Sequence, residues 1–118
     1  MIDSSDQLET LNPYVSRETI KKLSDYRDSI ISAKFNLVSK KDKDHIWIRH
    51  FHDSLRLTKF FEKNPKKMKI LDIGSGAGLP GLPLSMVLDN DLFEFVLCES
   101  NNKKANFIQD CCNQLDLS

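Results

Sequence analysis

The stretch Ile70–Gly81 decides the fold, and it reads ILDIGSGAGLPG. Together with Met68 and Lys69 it joins a short apolar run to a loop with glycine at alternate positions. The apolar run is typical of a buried parallel strand. The glycines allow a sharp turn at its end because they carry no side chain. The apolar residues of Pro83–Leu88 then predict a helix after the loop.

The same alternation continues towards the C-terminus. Asp89–Asp91 predicts a turn, and Phe93–Cys98 predicts a second strand, which Glu99 closes. Lys103 to about Gln114 predicts a second helix. Its apolar positions are Ala105, Phe107, Ile108, Cys111 and Leu115. The order strand, helix, strand, helix is the opening of a doubly wound α/β domain, whose strands are expected to be buried on two faces.

The residues before the loop predict helices. Ser16 is a suitable N-cap, and Glu18 in the first turn complements the helix dipole. Apolar residues then follow helical spacing to about Lys34, namely Ile20, Leu23, Ile30 and Ile31. Phe35–Val38 predicts a connection to the next element.

A second helix is predicted after that connection, with Asp42 or Asp44 as its cap. Its apolar face consists of Ile48, Phe51 and Leu55. A break at Asp53–Ser54 would start a further short helix to about Phe61. The aromatic residues of this region are expected in the core, and they are Trp47, Phe51, Phe60 and Phe61.

A proline within a basic cluster, Asn64–Lys67, separates the helical pattern from the strand pattern. We therefore expect an N-terminal helical segment, residues 1–64, and a partial Rossmann-like domain, residues 65–118. The 118 residues suffice for one small domain and not for two full ones.

The overall charge gives no support to a nucleic-acid partner, because 17 basic residues balance 17 acidic ones. Local lysine groups do exist, and they are Lys40, Lys41, Lys43, Lys63, Lys66, Lys67, Lys69, Lys103 and Lys104. They are either solvated surface or an RNA-facing patch. With 40% hydrophobic and 29% charged residues, the composition argues against disorder and against membrane insertion.

Three cysteines in this pattern predict neither a disulfide framework nor a metal site. Cys111 and Cys112 are adjacent, which does not match a CxxC metal loop. Cys98 lies in an apolar run and is expected to be a buried small hydrophobic residue. The acidic N-terminus, Met1–Asp6, is unlike a signal peptide, so a reduced, metal-free, cytoplasmic protein is expected.

Two ligand classes use a loop of this kind. The pattern Gly76-x-Gly78-x-x-Gly81 matches a dinucleotide motif, which places a pyrophosphate on the helix N-terminus. S-adenosylmethionine has no phosphate, but its ammonium tail could meet the carboxylate of Asp72. In either fold Glu99 could accept both ribose hydroxyls. Alternatively, Asp72 is a helix-capping or turn residue and Glu99 is a solvated charge at a strand end.

The residues from Ile70 to Leu84 resemble the motif of the glucose-inhibited division protein B family. The glycine core is shared by many methyltransferases, whereas the continuation Leu79–Pro83 is much more specific to this family. Three further stretches agree with the family pattern, and they are Phe35–Ser39, Arg49–Leu55, and Ser100 with Lys103–Lys104. The similarity runs in unbroken order from about Tyr14 to the end.

This resemblance implies a methyltransferase that modifies guanine N7 in 16S ribosomal RNA, with S-adenosyl-L-methionine as its cofactor. It implies a Rossmann-like class I methyltransferase fold, a small-ribosomal-subunit partner, a cytoplasmic location and a monomer without metal. The cofactor-binding positions that carry over are Gly74 and Leu79, followed by Asp72, Gly76, Gly78 and Glu99. Glu99 stands where the family more often has aspartate. No catalytic residue is assigned, and His50 is expected to be packed and hydrogen-bonded.

Family members continue well beyond the position of Ser118, so the chain is expected to hold the first part of the domain and to leave a strand edge unpaired. An inactive remnant that at most binds the cofactor is therefore one alternative. A fragment of a nicotinamide-dependent oxidoreductase is another, against which Asp72 and Pro80 argue. A methyltransferase of small molecules is a third.

Overall fold

A computed structural model describes residues 3–61, 67–88 and 91–115 of the chain. Its first part consists of helical elements, which are α1 (Ser5–Leu11), α2 (Arg17–Ser32), α3 (Lys40–Lys43), a π-helix (Ile46–His52), α4 (Asp53–Leu55) and a 3-10 helix (Arg56–Phe60). Its second part alternates strand and helix, as β1 (Met68–Ile73), α5 (Gly81–Val87), β2 (Phe93–Cys98) and α6 (Asn102–Gln114). The predicted α/β class is confirmed.

The two strands lie side by side in parallel, with Met68 opposite Phe93 and Ile73 opposite Cys98. Their carboxyl ends therefore meet at one edge of the sheet, where the glycine loop begins. The expectation that both faces of β1 are buried is wrong. Leu71 and Ile73 are 55% and 76% exposed, because burial alternates along the strand and only the opposite set of residues is partly covered.

Helix α2 forms as its sequence predicts. The Ser16 hydroxyl accepts a hydrogen bond from the Thr19 amide at 3.1 Å, which satisfies one free N–H of the first turn. Ile20, Leu23 and Ile30 are buried, whereas Ile31, the fourth apolar residue of the predicted spacing, lies on the exposed side of the helix. The buried stripe also contains Tyr26.

Residues 46–60 form one irregular helix, defined here as the π-helix, α4 and the 3-10 helix in sequence. The predicted cap by Asp42 or Asp44 is wrong, because His45 occupies the N-cap position of the π-helix. The carboxylate that accepts hydrogen bonds from the amides of Trp47 and Ile48 is that of Asp3. The predicted break at Asp53–Ser54 coincides with the change from π to α geometry. Within the irregular helix the buried apolar residues are Ile46, Trp47, Phe51 and Leu55.

The outer aromatic residues depart from the prediction. Phe60 is 69% exposed, since it lies on the outer side of the 3-10 turn, so its predicted core position is wrong. Phe61 is half-buried and contacts Phe93 edge-on.

The sequence pattern does not predict helix α1 individually, although the Ser4 hydroxyl accepts a hydrogen bond from the Gln7 amide as a standard N-cap.

The main core joins the helical part to the strand-and-helix part. It contains Leu8, Ile20, Leu23, Tyr26, Ile30, Ile46, Trp47, Phe51, Leu55, Leu82, Ile108, Cys111 and Leu115. A smaller cluster of Leu84, Leu88 and Phe93 lies beside it. The predicted boundary near residues 64–67 falls mostly outside the described residues, as do Asp89 and Asn90 of the predicted turn.

Within the described residues, no helix has the length and apolarity that a membrane crossing requires. The same residues contain no group of three or more histidine, cysteine or acidic side chains that could hold a metal ion. Cys98 is exposed at the end of β2, so its predicted burial is wrong. The alternation along the strand places its thiol on the solvent side.

We expect the cysteines to differ sharply in reactivity. Cys98 is exposed, whereas Cys111 is 2% exposed and burial raises the pKa of its thiol to about 12. Because the thiolate is the reactive form, a thiol reagent at pH 8 should modify Cys98 first and Cys111 only on unfolding. Peptide mass spectrometry over time measures this order. Equal modification rates in the native protein would contradict the described core.

Candidate functional site

The glycine loop turns from β1 into α5 through three glycines with positive φ. Gly74, Gly76 and Gly78 have φ of 73°, 58° and 99°. Beyond its two chain neighbours, a β-carbon added at Gly74 or Gly76 would meet no atom within 4 Å among the residues that the structure describes. One added at Gly78 would lie 2.6 Å from Leu82 Cδ1. The first two glycines thus leave a bare, open stretch of backbone, and the third allows the loop to pack on α5.

Asp72 connects the end of β1 to the first turn of α5. Its Oδ2 accepts a hydrogen bond from the Gly81 amide at 3.0 Å. Burial raises the pKa of its carboxyl, while the hydrogen bond from Gly81 acts in the opposite direction. Asp72 therefore caps the first turn of α5, and its contact with a ligand ammonium stays a prediction.

Glu99 connects the end of β2 to the same loop. Its Oε1 accepts from the Gly76 amide at 2.8 Å, and its Oε2 accepts from the Asn101 amide at 3.0 Å. The hydrogen bonds from Asn101 and Gly76 lower the pKa of this carboxyl. Glu99 is therefore held in place at the loop, and its contact with ribose hydroxyls stays a prediction.

Leu79 is half-buried, and part of its side chain packs against the main hydrophobic cluster. Its amide donates to the Ser75 carbonyl at 3.1 Å, as the Gly78 amide does at 2.9 Å. Five other amides of this region also donate to protein acceptors, namely those of Gly74, Ser75, Gly76, Gly81 and Leu82. Most of the backbone donors at this edge are therefore already bonded within the protein.

Tyr26 is a residue of this site that the sequence reasoning missed. Its side chain is fully buried, and its hydroxyl donates to the Ala77 carbonyl at 2.5 Å. Its ring stacks on Phe51 with the ring centroids 5.4 Å apart. The available signal was a tyrosine on the apolar stripe of α2, because a buried hydroxyl needs a hydrogen-bond partner.

The six predicted cofactor positions all lie at the carboxyl edge of the sheet, as the sequence order required. Gly74, Gly76, Gly78 and Leu79 form the loop itself. Asp72 and Glu99 hold it from the two strand ends. Such a glycine turn between two parallel strands that end in carboxylates defines the opening of a Rossmann-like nucleotide-binding domain.

Comparison with known proteins narrows this class. Residues 19–118 match the family GidB, described as rRNA small subunit methyltransferase G. The chain belongs to this family, whose members are class I methyltransferases. The resemblance to the glucose-inhibited division protein B family is thereby confirmed.

Individual relatives named "Ribosomal RNA small subunit methyltransferase G" agree with this family assignment. The protein of Oenococcus oeni is 40% identical over 86 residues, which are 73% of this chain and 35% of that protein. That of Cereibacter sphaeroides is 37% identical over 108 residues, covering 88% of this chain and 52% of that protein. That of Gluconobacter oxydans is 38% identical over 98 residues, covering 81% and 48%. The chain thus spans between about a third and about half of these relatives.

Replacing Tyr26 by phenylalanine should destabilise the loop. The substitution keeps the ring but leaves the buried Ala77 carbonyl without its donor, which should cost about 1–3 kcal/mol of unfolding free energy. Urea denaturation measures the loss. Tyr14→Phe is the matched control, because Tyr14 is exposed and its hydroxyl bonds are long, at 3.3 and 3.5 Å. Equal stabilities of the two variants would contradict the importance of the Tyr26 bond.

The conformation of the glycine loop should depend on pH through the protonation of the Glu99 carboxylate. Its folded-state pKa is lowered, so the stabilisation is fully present above the ordinary glutamate pKa and is lost as the pH falls through the lowered value. We expect the amide NMR signals of Gly76 and Asn101 to shift together, with a midpoint below the ordinary glutamate range. Glu99→Gln should abolish this shift. A midpoint at or above the ordinary value would show that the carboxylate does not hold the loop.

Proposed function

We propose that this chain is the cofactor-binding part of an enzyme that methylates N7 of a guanine in 16S ribosomal RNA. Family membership supports the reaction class, and the names of the relatives support the RNA substrate. The observation that carries the proposal is the glycine loop held between two carboxylates, with open backbone at Gly74 and Gly76. A cytoplasmic monomer is proposed with it.

The residues at the sheet edge fit S-adenosyl-L-methionine. Apart from each glycine and its two chain neighbours, no atom of the described residues lies within 4 Å of a β-carbon built on Gly74 or Gly76, so a ligand can approach the bare backbone there. Each carboxylate oxygen can accept more than one hydrogen bond, so Glu99 can accept ribose hydroxyls while it holds the loop. Asp72 supplies negative charge near a ligand ammonium. When bound, the cofactor supplies a methyl group on a positively charged sulfur.

The same site fits a dinucleotide poorly. A pyrophosphate needs free backbone N–H groups at the helix N-terminus. The Gly81 amide is bonded to Asp72 at 3.0 Å, and the Leu82 amide is bonded to the Gly78 carbonyl at 2.8 Å. Two carboxylates next to the loop would in addition repel a phosphate. This arrangement favours a phosphate-free, cationic ligand.

The proposed reaction asks for positioning rather than for proton transfer. Guanine N7 carries a lone pair and no proton at neutral pH, so no general base is needed. Holding the two reactants in line can contribute about 7–11 kcal/mol in favourable cases. In this chain Glu99 would orient the ribose of the donor and Asp72 its amino-acid end. Exposed lysines, among them Lys40, Lys41 and Lys103, are available to RNA phosphates.

Cofactor binding is tested by titrating the chain with S-adenosylhomocysteine and, separately, with NAD in isothermal calorimetry. We expect binding of the first and none of the second. Glu99→Gln should weaken the binding of S-adenosylhomocysteine by roughly ten- to a hundredfold, because hydrogen bonds to a charged group are stronger than those to a neutral one.

Glu94→Gln is the matched control, because Glu94 lies on β2, the strand that precedes Glu99, and its carboxylate forms a solvent-exposed contact with Lys69 at 3.8 Å. It should leave the affinity unchanged. Binding of NAD in place of S-adenosylhomocysteine would overturn the proposal. Methyl transfer from labelled cofactor to small ribosomal subunits then separates an active chain from one that only binds.

A further inference from the structure

A second concave surface adjoins the glycine loop on the side of the irregular helix. It is a cavity of about 230 Å³ whose walls come from both parts of the chain. Leu79 and Pro80 of the loop form one wall, and Arg49, Asp53 and Leu57 are among the residues of the other. The segment Arg49–Leu55, which matched the family pattern without an assigned role, therefore lies next to the proposed cofactor site.

The walls of the cavity combine apolar surface with two charged side chains, those of Arg49 and Asp53. Leu57, Leu79 and Pro80 supply apolar atoms to the walls, and apolar atoms suit contact with the face of a planar ring. The side chain of Asp53 is 59% exposed, and its contact with Arg56 is a surface ion pair of 3.6 Å. Such an exposed pair contributes little to stability, so the carboxylate is available to a ligand.

We propose that this cavity receives the guanine that is methylated, with Asp53 accepting hydrogen bonds from N1–H and the N2 amino group. The inference rests on the proposed function and names the residue that selects the base. Enzymes that modify bases take the base into a pocket and read its Watson–Crick edge. A carboxylate can accept two parallel hydrogen bonds, and guanine offers two adjacent donors at this edge.

This arrangement leaves the reacting atom free. N7 lies on the other edge of the purine, away from N1 and N2, so Asp53 would not block it. Adenine is rejected, because its N1 is an acceptor and would face the carboxylate. Arg49, whose guanidinium is bonded to Asp42 at 3.0 Å and is half-exposed, is placed to contact a phosphate next to the base.

The test uses the full chain saturated with S-adenosylhomocysteine and titrated with guanosine or adenosine 5′-monophosphate in ¹⁵N NMR. We expect the guanine nucleotide to shift the amides of Asp53, Leu57 and Leu79, with at least tenfold higher affinity than the adenine nucleotide. Asp53→Asn should lose that preference and gain relative affinity for adenine, because an amide both donates and accepts. Asp53→Ala should show neither the preference for the guanine nucleotide nor the gain in relative affinity for the adenine nucleotide.

Asp28→Asn is the matched control, because Asp28 is similarly exposed and pairs with a neighbouring arginine, Arg27, at 3.5 Å. It should leave nucleotide selection unchanged. Equal affinity for the two nucleotides with S-adenosylhomocysteine bound, or no response at the cavity, would overturn the base site alone. Failure of S-adenosylhomocysteine itself to shift the amides of Gly74 and Gly76 would instead overturn the proposed function.

Discussion

The hydrogen bond from the buried Tyr26 hydroxyl to the Ala77 carbonyl fixes the middle of a loop that has little side-chain packing of its own. A glycine-rich turn loses much conformational entropy when it is ordered, so it keeps one shape only if bonds from outside hold it. Tyr26 provides one such bond from α2, a helix remote in sequence. Its ring is fixed in turn by stacking on Phe51 of the irregular helix. The shape of the loop therefore depends on the helical part of the chain.

The two carboxylates complete this support from the strands. Asp72 holds the exit of the loop through the Gly81 amide, and Glu99 holds its middle through the Gly76 amide. Both side chains are thus in place before any ligand arrives, which reduces the ordering cost of binding. Their environments differ, because burial raises the pKa of Asp72 while hydrogen bonds lower that of Glu99. Both carboxylates are held by backbone amides at the same edge of the sheet.

Much of this arrangement could be predicted from the sequence, because local patterns determine it. The strand bounds Met68–Ile73 and Phe93–Cys98 follow from short apolar runs next to turn residues. The position of Asp72 and Glu99 at one edge follows from parallel pairing alone. Helix α2 follows from its cap and its apolar spacing. These features need no knowledge of contacts between distant residues.

The parts that sequence reasoning missed depend on such contacts. Nothing local shows that the Tyr26 hydroxyl reaches Ala77, 51 residues away. The sequence predicts an ordinary helix over Ile46–His52, because apolar spacing does not distinguish a π-helix from an α-helix. The sequence predicts both Cys98 and Phe60 in the core, although strand alternation and the 3-10 turn direct their side chains outwards. Tertiary packing decides each of these cases.

The irregular helix links the two proposed binding surfaces mechanically. Phe51 points inwards and stacks on Tyr26, which holds the loop, while Asp53 lies at the cavity on the other side of the same helix. Because closely packed interiors transmit displacements rather than absorb them, a shift of this helix would move the Asp53 carboxylate and the glycine loop together. In the proposed complex, the stacking of Phe51 on Tyr26 would therefore contribute to the separation between the bound donor and the acceptor base. In-line transfer requires that separation to be held to within about 0.5 Å, and a single rigid aromatic contact satisfies this better than two independently mobile loops could.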